Sequence, residues 1–307
     1  MGIVDCHCDV ISRIWRENES ILANRGQFDV YRARAAGVSL QFCALFTDGQ
    51  GEATLRTILR QLDKFHEELA RYPDDLYMVT SYRDIETNRD KSAIGCLLHL
   101  EGGEALGGEI EILRVLHRLG LRSIGLTWNK RNLLADGAMD DGSGGGLSNL
   151  GRAVVKLAQD LGMLVDLAHL SQRGFFHVID LADKPVIVSH ANARSLCDHP
   201  RNLSDEQLKA LAGNGGLVGC TLVPEFVATK SPGLSDFIDH LVYISDLIGT
   251  EYVALGSDFD GVDTPVLTDV SQYSLLEPAL RARGFNHEEI DKILKENCLA
   301  LLKRVLK

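Results

Sequence analysis

The stretch MLVDLAH (163–169) decides the fold. Five of its seven residues are apolar, the polar positions do not alternate, and the run stops on a histidine. A strand buried on both faces reads this way, because helices cover a parallel sheet above and below. PVIVSH (185–190) repeats the apolar run and the terminal histidine. The residues between the two give the length of a helical crossover, which parallel neighbours require.

Similar runs recur along the chain: IVDCHC (3–8), VSLQFCAL (38–45), AIGCLLHL (93–100), SIGLTW (123–128), LVGCTLV (217–223) and YVALGSD (252–258). With the first two they make eight strands. Segments such as EATLRTILRQLDKFHEELARY, GEIEILRVLHRLG and LSNLGRAVVKLAQDLG fall between them, with apolar residues at three- and four-residue spacing. Ser148 or Asn149, Ser204 and Ser235 supply N-terminal caps, and Gly120, Gly162, Gly215 and Gly249 supply stops. Eight such units predict an α/β fold, a closed (β/α)8 TIM-type barrel, with a doubly wound open sheet as the competing arrangement. The Gly- and Asp-rich ADGAMDDGSGGG (135–146) reads as a loop, either a lid over the barrel mouth or a plain connection.

The 307 residues suit one such barrel, so residues 1–307 read as a single catalytic domain. Lys and Arg number 32 and Asp and Glu 43, and a net charge of −11 argues against nucleic acid or an anionic membrane as partner. The sequence shows neither a signal peptide nor an apolar run long enough to span a membrane, which predicts a cytoplasmic protein. The seven cysteines sit mostly in apolar runs and read as reduced, buried thiols. No phosphate-binding glycine motif stands in a strand–turn–helix context, so no nucleotide cofactor is expected.

Ionisable residues gather where the strands end. The first run ends with His7 and Asp9, the third leads into Glu101, and the fifth and sixth end on His169 and His190. The eighth ends on Asp258. In a barrel these ends share one rim. Three histidines and three carboxylates without an obligatory thiolate suit Zn²⁺ or a similar cation, and suffice for two ions if one carboxylate bridges. Strand alternation places Asp5, His7 and Asp9 on one face and Cys6 and Cys8 on the other. That makes His7 and Asp9 the ligands, puts Asp5 behind them, and turns both thiols outward.

The order HxD, LEGG, LVDLAH, SHANAR followed by HPRNLSD, and GSDFDG resembles the renal or membrane dipeptidase family of binuclear zinc hydrolases, over nearly the whole chain. VSHANARSLCDHPRNLSDEQL and ALGSDFDGV carry the most specific part of the resemblance. The resemblance implies two Zn²⁺ per chain. His7 and Asp9 would hold one, His169 and His190 the other, and Glu101 would bridge them. Asp258 would handle the proton of the attacking water and face the substrate amine. Arg201 would bind the substrate carboxylate, a task suited to its planar fork. The implied reaction is hydrolysis of dipeptides by a hydroxide shared between the metals, including dipeptides with a C-terminal D-residue. A homodimer is the implied assembly. The chain departs from the family in one place. Many members carry a substrate-contacting histidine directly after a Leu-Thr pair, whereas this chain reads Leu126-Thr127-Trp128-Asn129. Asn129 is then the candidate donor to the substrate carbonyl, unless the metals do that work alone.

Two other readings compete. One is a barrel amidohydrolase acting on a lactone, phosphoester or cyclic amide, although such enzymes usually show HxH on the first strand. The other is a family member that binds a peptide or metabolite without turning it over. His99 is expected to support Glu101 or to fill a polar spot in the barrel. Asp260 is expected to cap the following turn, with lining the mouth as the alternative. His66, His117, His177, His240 and His287 are expected on helix surfaces, and the role of His199 is open.

Overall fold

The computed structural model describes residues 2–49 and 52–307. Its strands, all parallel, are β1 (Ile3–Cys8), β2 (Val38–Phe46), β3 (Leu76–Met78), β4 (Ile94–Glu101), β5 (Leu121–Gly125), β6 (Leu164–Asp166), β7 (Ile187–Val188), β8 (Leu217–Cys220) and β9 (Val253–Leu255). β1 pairs with both β2 and β9, and β2 pairs with β4, so eight strands close the expected barrel in the order β1-β2-β4-β5-β6-β7-β8-β9. β3 is an addition that the sequence reading did not contain. It pairs with the first part of β4 (Ile94–Cys96), on the edge that β5 takes further along at Leu98–Leu100. Three residues are too few for a periodic signal.

The later strands are shorter than their apolar runs suggest. β6 stops at Asp166 and β7 at Val188, so His169 and His190 stand in the turns that follow. Asp166 explains why. Its Oδ1 accepts from the backbone N–H of Ala168 (2.9 Å) and of Ser189 (3.0 Å). One carboxylate thus takes over ladder bonds at two strand ends and joins them. Asp5 does the same between β1 and β9. It accepts from His7 N (3.2 Å), Ser257 N (2.9 Å), Ser257 Oγ (2.7 Å) and Tyr273 Oη (2.7 Å).

The alternation expected in β1 does not hold. Asp5 is level with Gln41 and Cys8 with Cys43, so three steps on β1 match two on β2, which is a β-bulge. Cys6 therefore joins Val4 in the barrel interior, packed with Phe42, Leu97 and Leu164, while Cys8 alone packs outward against the helices. Cys6 Sγ lies 3.6 Å from Cys298 Sγ, on the helix Asn297–Val305 that closes the barrel floor with Leu301, Leu302 and Val305. Burial of such side chains stabilises the floor by about 1.5–3 kcal/mol each.

Two helix starts follow the expected caps. Ser148 accepts from Gly151 N and Ser204 from Gln207 N. Ser235 is not a cap, because its helix already begins at Leu234. Gly120, Gly162, Gly215 and Gly249 all carry positive φ, which favours glycine at these stops.

Candidate active site

The barrel interior above the floor is polar. Leu97, His99 and Glu101 are alternate residues of β4 and face inward together, opposite Phe42, Ala44 and Phe46 of β2. His7 follows the bulge and Asp9 ends β1. His169 and Asp258 end their runs with φ of 64° and 63°, a left-handed backbone that turns their side chains back over the mouth. All six expected ligand-type residues converge. His7, Asp9, Glu101, His169 and His190 are buried, and the Asp258 side chain is 15% exposed.

Two groups of atoms share Glu101. In the first, His7 Nε2 is 3.3 Å from Asp9 Oδ2 and 3.5 Å from Glu101 Oε2. In the second, His169 Nε2 is 2.9 Å from Glu101 Oε1 and 2.8 Å from His190 Nε2. Asp258 Oδ1 adds a contact of 3.6 Å to His7 Nε2, which links a third group of His7, His190 and Asp258. These groups contain no cysteine.

The residues fit a pair of divalent cations on their own geometry. Both ring nitrogens of His7 are buried and lack a hydrogen-bond partner, although three carboxylate oxygens stand near Nε2. A buried ring nitrogen without a partner is costly unless something else occupies its lone pair. At His169, Nδ1 donates to Asn129 Oδ1 at 2.8 Å, so Nε2 presents a lone pair towards His190. Ser189 Oγ, 2.8 Å from His190 Nδ1, fixes the other ring. Two lone pairs and a carboxylate oxygen that face one another form a cation cradle of nitrogen and oxygen donors.

The protonation pattern of the bare cluster agrees. Burial pushes Glu101 up to about 7 and Asp258 up to about 6, with Asp9 adding to both. Burial works to lower His7, but Glu101 and Asp9 outweigh it and hold that ring well above its ordinary value. Burial drives His169 and His190 far down, so both stay neutral. Without cations the cluster retains protons that cations would displace.

Arg201 is 4% exposed and sits beside this cluster. Its Nη2 reaches only the His190 carbonyl, at 3.4 Å, and its Nε is buried without a partner. Its Cζ lies 5.4 Å from the Phe226 ring centre. Burial lowers it to about 10, and no carboxylate among the described residues pairs with it. A buried guanidinium in this state is set to receive an anion. His199, whose role was open, accepts from Arg201 N at 3.2 Å and stacks on Phe226, so it shapes the turn that presents the arginine.

Asn129 Oδ1 is engaged with His169, a contact the sequence reading did not contain. Trp128 takes the mouth position, with its ring 6.1 Å from that of His169 and 5.1 Å from Phe46. His99 bonds Ser123 Oγ at 2.9 Å and lies 3.4 Å from Asp166 Oδ2; burial lowers it to about 4, so it is a neutral support. Asp260 ties its turn to the 24–28 segment, accepting from Gln27 N at 2.7 Å, and does not cap a helix. His240 is not on the surface. It is fully buried, with Nδ1 accepting from Ala193 N and Nε2 donating to the Val227 carbonyl.

The 135–146 segment is a brace. Ala138 N donates to the His169 carbonyl (2.7 Å) and Met139 N to the Asn129 carbonyl (2.9 Å). A Cβ at Gly137 would collide with the carbonyls of Trp128 and Asn129, so only glycine allows this approach. Asp136 holds the loop shut on itself by accepting from Gly145 N and Gly146 N, both at 2.8 Å. Sequence reasoning missed Asp136 and Asp166, whose work is done on backbone amides.

Known proteins resemble this chain along its length. The family described as membrane dipeptidase (peptidase family M19) matches residues 1–307. Dipeptidase aclJ of Aspergillus oryzae is 34% identical over 293 residues, which is 90% of this chain and 69% of that protein. A metallo peptidase from Rhodobacter sphaeroides, liganded with a phosphinate mimic of the dipeptide L-Ala-D-Ala, superposes with a TM-score of 0.94 at 25% identity, covering 99% of both chains. The dipeptidase AC, a metallo peptidase of family M19, gives 0.94 at 26% identity over 100% of this chain and 99% of that one. A match along the whole chain, together with these relatives, places the chain in the membrane dipeptidase family, peptidase family M19, whose members are metallo-hydrolases of peptide bonds.

Proposed function

We propose that this chain hydrolyses dipeptides, including those with a C-terminal D-residue, at a site holding two Zn²⁺. The observation that carries the reading is the pairing of an uncompensated buried guanidinium, Arg201, with a nitrogen–oxygen cradle centred on Glu101. His7 and Asp9 would hold one ion and His169 and His190 the other, with Glu101 shared between them. Cations bound there supply Lewis acidity and a water-derived nucleophile at neutral pH.

The remaining work belongs to side chains. Arg201 receives the free carboxylate of the substrate, which restricts the site to short peptides and fixes the direction in which they lie. Asp258 stands at the mouth with a carboxyl raised to about 6, suited to taking a proton from water and returning it to the leaving amine. Asn129 positions His169, and Trp128 covers one side of the site from water. The phosphinate mimic of L-Ala-D-Ala on the Rhodobacter sphaeroides relative supports acceptance of a D-residue. We further propose that residues 1–307 act as one catalytic domain, as a homodimer in the cytoplasm; light scattering tests the assembly. Among the described residues, no helix is long and apolar enough to cross a membrane.

Elemental analysis combined with a panel of L,L- and L,D-dipeptides tests the reading. Two zinc ions per chain and turnover of free dipeptides are expected, with amidated dipeptides poor substrates. Absence of turnover by zinc-replete protein would overturn it, and full activity in Glu101→Ala would remove the bridging role.

A further inference from the structure

A cleft of about 760 Å³ shares Trp128 with the site, and the Trp128 ring lies 6.1 Å from that of His169. The cleft walls come from the loops after β2, β4 and β5, three neighbours in the barrel order. Arg201 lies in the loop after β7, half-way round the barrel from β2. A dipeptide with its carboxylate on Arg201 and its carbonyl at the cluster therefore points its first residue towards this cleft. Trp128, Leu133 and Ile112 give the cleft apolar surface.

Glu104 stands at its inner end. The carboxylate lies against Gly102, the residue after Glu101, and Oε1 accepts from Asn132 Nδ2 at 3.0 Å. Among the described residues, no Lys, Arg or His forms an ion pair with Glu104. The bases on the rim do not offset it: Arg131 faces Asp136 at 3.2 Å, and the exposed Lys130 is matched by the exposed Asp48 and Glu109. A half-buried carboxylate without a cation, in a cleft with apolar walls, matches one class of side chain. Lysine and arginine lay methylenes along apolar surface and end in a charge. The Trp128 ring in the same wall adds cation–π attraction.

We propose that this cleft receives the side chain of the N-terminal residue of the dipeptide, and that Glu104 makes it select lysine or arginine there. The proposal rests on the dipeptidase reading. The test measures kcat and KM for L-Lys-, L-Arg-, L-Leu- and L-Glu-dipeptides with a shared second residue, using zinc-loaded wild type and Glu104→Gln. Wild type should favour the basic pair over L-Leu by about tenfold or more in kcat/KM, as expected for a close charge pair, mainly through KM. Glu104→Gln should abolish that preference, read as the ratio of kcat/KM on the basic and L-Leu substrates within the variant. Raising the salt concentration should shrink the preference in wild type, a readout that needs no variant. Turnover of L-Leu-dipeptides without a basic preference, or a preference that survives in Glu104→Gln, overturns this proposal alone. Failure to turn over any dipeptide overturns the dipeptidase reading and this proposal together.

Discussion

Asn129 Oδ1 lies 2.8 Å from Nδ1 of His169, and that single bond sets which nitrogen of the ring is left to bind. Asn129→Ala removes the acceptor while sparing every ligand-type residue. Metal affinity should fall by about 10–100-fold, the usual cost of losing a ligand's supporting partner. Chelator competition measures it. At saturating zinc most activity should return, which a direct substrate-binding role for Asn129 would not allow.

Arg201→Ala should raise KM far more than it lowers kcat, because the lost interaction is with the substrate carboxylate in both ground and transition states. A loss of about 3 kcal/mol, or roughly 100-fold in kcat/KM, is the scale for a charged hydrogen-bonded pair. Steady-state kinetics with free and amidated dipeptides checks it. The amidated substrate should be nearly indifferent to the substitution, and an equal loss on both substrates would remove the assignment.

Zinc binding should weaken as pH falls. In the metal-free protein Glu101 and Asp258 titrate at about 7 and about 6, and His7 holds its proton well above the ordinary range for histidine. These raised values mean that protons occupy the cluster below neutrality and must leave when metal enters. Apparent affinity should therefore drop by about tenfold or more from pH 7 to 6. Titration calorimetry in two buffers with different ionisation heats should show the accompanying proton release.

Cys6 and Cys8 should separate from His7 by experiment. Cys6→Ala leaves a gap against Cys298 in the floor and should lower stability by about 1–2 kcal/mol in denaturant melts. The zinc content of Cys6→Ala and of Cys8→Ala should match wild type, whereas His7→Ala should lose metal.

The barrel and the gathering of ligand-type residues at its rim were open to sequence reasoning because both leave periodic or positional marks. Apolar runs that end in His or acid name the rim, and MLVDLAH and PVIVSH do so most clearly. The facing of Cys6 was not open to it. A bulge adds one residue to a ladder and leaves no composition signal, so a strict period of two misplaced that thiol while still aiming His7 inward. Asp166 escaped for a related reason, since Oδ1 takes backbone amides that no residue identity advertises. His240 shows the same limit, because its Nδ1 finds Ala193 N, which is 47 residues away.

Cys6 and Cys298 meet across 292 positions of the chain. β1, which brings His7 and Asp9, is held by β9 on one edge and by the floor helix at its base. Residues 38–46 flank β1 on one side, but its other edge and its base are completed only by residues from the last sixty of the sequence. A cradle completed only with these late elements should refold at the same rate with and without zinc and unfold more slowly once zinc is bound.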